Sequence, residues 1–110
     1  GKRRADIILS DMDGKTTAPD FIAYAAECFQ AKGYSLSINY PFRGAELIHR
    51  FGDPANDRHS MQIEINRALY LDESTYEKSD GFATLREDIE QVTRHLSAFV
   101  VERAKITKRV

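Results

Sequence analysis

The chain has no tryptophan, a single cysteine, three prolines and three histidines in 110 residues. Each scarcity excludes something. A lone Cys28 cannot close an internal disulfide, so the fold does not rest on a disulfide framework. No apolar run approaches the roughly 18 residues that a membrane-spanning helix needs, and no signal-peptide-like apolar core is present. Charge of one sign is also missing. Sixteen Lys and Arg stand against seventeen Asp and Glu, a net charge of −1, which gives no general attraction to nucleic acid or to an anionic membrane. The histidines (His49, His59, His95) are scattered. His59 and Glu64 are five residues apart, so on a strand they face opposite ways, and no zinc site is expected from this chain alone.

What is present describes a folded α/β protein of one domain. Apolar residues make up 42 % and charged residues 30 %, the balance of a globular chain. A chain of this length buries roughly 60–70 % of its unfolded surface, enough for one modest core. Cys28 sits among apolar helix positions and reads as a buried, reduced thiol, in keeping with a cytoplasmic compartment.

The order of elements can be followed along the chain. Asp6 to Ser10 is a short apolar strand, and Asp11 to Thr17 a loop. Pro19 suits the first turn of a helix, because its missing N–H is not needed there. Phe21, Ala25, Cys28 and Phe29 then repeat at helical spacing until Lys32-Gly33 ends the helix. Tyr34 to Asn39 alternates as a second strand, and strand–helix–strand implies a parallel pair. Pro41 to Gly44 is a loop, 45–51 is ambiguous between helix and strand, and 52–57 is a polar loop. A third strand is expected over 60–66, and 72–80 is loop-like, with Asp80 suited to cap the next helix. In that helix Phe82, Leu85, Ile89, Val92, Leu96, Phe99 and Arg103 alternate at spacings of three and four, a stripe that packs on a sheet. The basic tail (Lys105, Lys108, Arg109) reads as a solvated end.

The third strand is the most informative segment. It lies within His59-Ser60-Met61-Gln62-Ile63-Glu64-Ile65-Asn66-Arg67-Ala68-Leu69-Tyr70-Leu71-Asp72-Glu73. Met61, Ile63 and Ile65 share one face, and Gln62, Glu64 and Asn66 the other. A strand buried on both faces reads as a continuous apolar run. Here a carboxylate lies between two amides, so that face either meets water or lines a site. This stretch resembles the C-terminal signature of the N-formylglutamate amidohydrolase (N-formylglutamate deformylase) family. Asn39-Tyr40-Pro41-Phe42-Arg43-Gly44 with Arg50-Phe51-Gly52-Asp53-Pro54, and earlier Ile7 to Asp11, Gly14 and Thr17-Ala18-Pro19, resemble further family segments in the same order. The resemblance runs from about Ile7 to Phe99.

The resemblance implies a three-layer αβα architecture with a mainly parallel sheet, part of a zinc-carboxypeptidase-like (phosphorylase/hydrolase-like) fold. It implies hydrolysis of N-formyl-L-glutamate to formate and glutamate, with zinc as cofactor. Family members are considerably longer and carry their zinc ligands in the N-terminal half. Residues 1–110 are therefore expected to be the C-terminal portion of a longer enzyme, with no metal ligands of its own and inactive alone. The missing half would be a partner, and pairing with another copy through open sheet edges is a further expectation. Zinc-assisted amide hydrolysis needs a carboxylate base beside the attacking water. By resemblance that base is Glu64; from spacing alone an exposed or structurally paired glutamate is the simpler reading. Two substrate carboxylates call for guanidinium contacts. Arg43, in the loop beside a strand end, is the first choice, and Arg50 the weaker one. Asn66, on the face of Glu64, would orient it or the substrate, or else bond to backbone at the strand end. Histidine breakdown is the pathway the family implies.

Two rival readings stand beside this one. A binding or assembly module could keep the fold without the chemistry; the lack of a metal-ligand set favours it, and the Gln62-Glu64-Asn66 face opposes it. Separately, Ile7 to Gly14 resembles the strand and D-x-D-G turn of haloacid-dehalogenase-type phosphatases, with Asp11 and Asp13 around magnesium. Lys15 stands where that pattern wants threonine, so an Asp–Gly turn between strand and helix is the simpler reading.

Overall fold

The computed structural model describes residues 5–109 apart from 42, 45, 57, 73 and 76, and the side chains of 46, 47 and 103–109 are likewise outside the description. The expectations for Arg103 and the basic tail fall outside it too. The elements are β1 (Ile7–Ser10), α1 (Pro19–Ala31), β2 (Leu36–Ile38), α2 (Glu46–Phe51), β3 (Gln62–Ile65), β4 (Leu71–Asp72), β5 (Glu77–Lys78) and α3 (Gly81–Arg109), with short 3-10 turns at Pro54–Asn56 and Arg67–Leu69.

β1 is the centre of a three-stranded sheet ordered β2-β1-β3. It is buried along its whole length, which is why it reads as an unbroken apolar run. Ile7 and Leu9 face α1 and α3. There they meet Ile22, Ala25, Ala26 and Phe29 of α1 and Val92 of α3, with Leu36, Met61, Ile65 and Leu96 packed around this cluster. On α3 the sequence stripe is the buried stripe: Leu85 and Val92 are buried, and Phe82, Ile89, Leu96 and Phe99 are half-buried.

α1 starts at Pro19 with Asp20 in its first turn, beside the helix's positive end. It stops where Gly33 takes φ +91°, and the amides of Gly33 and Tyr34 bond back to Gln30 and Phe29. Tyr34 Oη then donates to Asp88 Oδ2 at 2.5 Å, and the Lys32 ammonium lies 3.8 Å from the same carboxylate, so the end of α1 is tied to α3. Burial and the Asp88 contact push the Tyr34 phenol up to about 12.

The sheet is mixed, whereas a mainly parallel one was expected. β1 and β2 are parallel, but β3 runs antiparallel to β1. The approach to β3 explains this. The Thr16 and Thr17 hydroxyls both donate to Ser60 O, at 2.6 and 2.7 Å, and Ser60 N donates to Thr16 O. His59 Nδ1 accepts the Ala18 amide at 3.1 Å, and its ring stacks on Phe21. The chain is thus held just beyond the C-terminal end of β1, and from there β3 can only run back. The ambiguous segment before it is helix α2, whose Ile48 is buried near the opposite side of β1: Gly44 is wedged between Ile48 and Ser10. The loop expected over 72–80 contains the small β4–β5 hairpin. Cys28, expected to be buried, is half-buried, because it lies at the rim of the α1 stripe toward the exposed His95.

No helix among the described residues is long and apolar enough to cross a membrane.

Candidate active site

Register determines which side chains share a face. Gln62 pairs with Ser10, Ile63 with Leu9, Glu64 with Ile8 and Ile65 with Ile7. Partners in register project to the same side, so Gln62 and Glu64 lie on the face of Ile8 and Ser10, away from α1 and α3. Ser37 of β2 is in register with Ile8 and carries that polar strip across the sheet. The alternation read from the sequence is therefore the alternation of the strand.

Glu64 is half-buried on this strip, and Gln62 Nε2 donates to its Oε1 over a long 3.4 Å. Arg43 lies at the C-terminal end of β1. Its backbone oxygen accepts the Met12 amide at 2.7 Å, and its exposed guanidinium pairs with Asp13 at 3.2 Å. Asn66 lies at the other end of β1: its amide donates to Asp6 O at 2.9 Å. Its side-chain oxygen accepts from Ala68 N at 3.1 Å, capping the 3-10 turn that follows. That is the backbone-bonding reading of Asn66. Arg50 is exposed in the last turn of α2. The structure thus groups Glu64 with Gln62 and Arg43 with Asp13, and places Asn66 and Arg43 at opposite ends of one strand.

The D-x-D-G turn has a structural account. Asp11, only 1 % exposed, accepts from Gly14 N at 2.9 Å and from Asn39 Nδ2 at 2.7 Å. Asn39 Oδ1 in turn accepts the Asp11 amide at 2.9 Å. The carboxylate closes an Asp–Gly turn and joins it to the end of β2. Asn39 and Gln62 were legible only as parts of motifs; their pairing with Asp11 and Glu64 needed the fold.

Among the described residues no three His, Cys, Asp or Glu stand close enough together to hold a metal ion. His59 is committed to α1, and His49 and His95 are exposed on separate helices. An apolar groove of about 320 Å³ between Ile65, Tyr70 and the Phe82–Leu85–Ile89 side of α3 opens on the sheet face opposite Glu64.

The family model described as N-formylglutamate amidohydrolase matches residues 1–71. The chain belongs to the N-formylglutamate amidohydrolase family. It is 36 % identical over 67 residues to an N-formylglutamate deformylase of Pseudomonas putida, covering 61 % of this chain and 23 % of that protein. It is 31 % identical over 93 residues to the N-formylglutamate deformylase of Pseudomonas aeruginosa, covering 84 % and 33 %. The crystal structure of N-formylglutamate amidohydrolase from Ralstonia eutropha JMP134 superimposes with a TM-score of 0.87 at 39 % identity, over 92 % of this chain and 36 % of that one. This structural likeness extends into α3, beyond the matched family segment. The chain spans about a quarter to a third of the length of these family members.

Proposed function

We propose that this chain supplies part of an enzyme that hydrolyses N-formyl-L-glutamate to formate and glutamate, with Glu64 as general base. The observation that carries the proposal is the placement of Glu64: a half-buried carboxylate on the polar face of β3, with Gln62 donating to one oxygen, inside the segment that matches the family. The other oxygen can then face a reactant. In the step itself, water adds through oxygen to the formyl carbon while Glu64 takes its proton. The C–N bond breaks, the proton passes to the departing amine, and the products are formate and glutamate.

Arg43 would meet a substrate carboxylate, since its guanidinium is exposed at the loop beside the end of β1, where it pairs with Asp13 at 3.2 Å. Arg50 on α2 is the second guanidinium in the proposal, and Asn66 enters through its position just past the end of β3 rather than through its capping oxygen. Zinc would supply Lewis-acid chemistry, and its ligands would come from parts of the protein outside this chain. The same parts would cover the outer edges of β2 and β3 and the groove along α3. The test is formate release from N-formyl-L-glutamate by the complete protein, compared with this chain alone. Turnover by the complete protein and none by the chain is the expected result. No turnover by the complete, zinc-loaded protein overturns the proposal.

A further inference from the structure

Asp11 and Asn39 are used by nothing in the chemistry above, yet they are joined by two reciprocal hydrogen bonds beside the loop that carries Arg43. Asn39 holds φ +56°, a left-handed backbone that asparagine tolerates better than most residues. Its amide donates to Leu9 O at 2.8 Å, and its side chain exchanges two hydrogen bonds with Asp11. Four residues on, Met12 N holds Arg43 O, and the next residue, Gly44, is so tightly seated that a Cβ there would fall 2.2 Å from Ile48 Cδ1. Arg43 is thus held at its own carbonyl by Met12, and the Asp11–Asn39 pair anchors the chain ahead of it on the sheet.

We infer that Asp11 and Asn39 are positioning residues for Arg43: their reciprocal hydrogen bonds hold the Arg43 loop against the end of β1, so that its guanidinium meets a substrate carboxylate at a fixed place. The inference rests on the reading of Arg43 given above. A buried carboxylate that only closed a turn would need Gly14 alone. Here the same oxygen also accepts from Asn39, adding a buried link between two loops that also meet through the Met12–Arg43 backbone bond and the exposed Arg43–Asp13 pair. Fixing a binding group in advance lowers the ordering cost of binding, so its loss is felt in affinity for the substrate.

The test measures kcat and KM of the complete protein with N-formyl-L-glutamate, with unfolding midpoints taken alongside. Asn39→Asp places two carboxylates face to face and breaks the pair. KM is expected to rise about tenfold or more, the scale of one lost charge-assisted bond, with kcat unchanged. If Asn39→Asp does not fold, Asn39→Gly serves instead: it keeps the backbone conformation and removes both side-chain bonds. Arg43→Ala separates the two readings. If it leaves KM unchanged, the reading of Arg43 falls and this inference falls with it. If it raises KM while the Asn39 variants do not, Arg43 stands and the positioning role is overturned. The positioning role also predicts that Asn39→Gly adds nothing to KM in the Arg43→Ala background; a full additional increase there would overturn it.

Discussion

β1 and β3 are hydrogen-bonded neighbours of four residues each, and they differ in almost every other respect. Every residue of β1 is buried, while in β3 Ile63 is 39 % exposed and the rest are half-buried. The strand with helices packed on it holds the fold, and the strand with a polar face holds the candidate base. The contrast locates the buried core in β1, α1 and α3, and the proposed chemistry lies on the side of β3 that those helices do not cover. Substitutions can therefore be chosen to break the contrast.

The sharpest uses one cross-strand pair. Leu9 and Ile63 are in register on the same face, one fully buried and the other substantially exposed. Leu9→Ala should destabilise the chain by about 2–5 kcal/mol in urea unfolding. Ile63→Ala should cost roughly 1 kcal/mol or less, because much of that side chain is already in water. Equal losses would remove the distinction between the strands. Next is the stitch that turns β3 back along β1. Thr17→Val keeps the shape of a fully buried side chain but removes its bond to Ser60 O. The expected loss is about 1–3 kcal/mol in the same measurement.

A smaller effect, about 1 kcal/mol, is expected for Tyr34→Phe, which removes the Asp88 contact. It should depend on pH in a defined direction. An unfolded tyrosine loses its proton near 10, whereas Tyr34 in the fold holds it to about 12. Between these values the folded state binds the proton that the unfolded state has released, so the contribution is complete below 10, falls as pH rises, and is gone above 12. The stability difference between the natural chain and Tyr34→Phe should narrow over that window. The smallest effect belongs to Arg86→Ala on the exposed side of α3. Its pair with Glu90 is solvated, and the change should stay within about 0.5 kcal/mol.

The elements carried by apolar periodicity were legible in the sequence: β1 and its unbroken run, α1 from Pro19 to Gly33, the alternation of β3, and the α3 stripe. The direction of β3 was not. It depends on Ser60 bonding to Thr16 and Thr17, a contact across 43 or more residues that periodicity does not encode. The β4–β5 hairpin was missed because two-residue strands are too short to alternate. Within the site, Glu64 stood out as a charge on a strand of apolar neighbours. The roles of Asn39 and Asp11 could not be seen, because each is an ordinary turn residue until β2 is laid beside β1. Asn66 was assigned to the face of Glu64 by strand parity, and parity stops at Ile65, where the chain turns into a 3-10 helix and uses the asparagine as its cap.

The most direct measurement is the turnover of N-formyl-L-glutamate by the complete protein carrying Glu64→Gln. The general-base account predicts a fall in kcat of about 10²–10⁴-fold, with KM and the unfolding midpoint close to those of the natural protein. A variant that turns over at near the natural rate would contradict it.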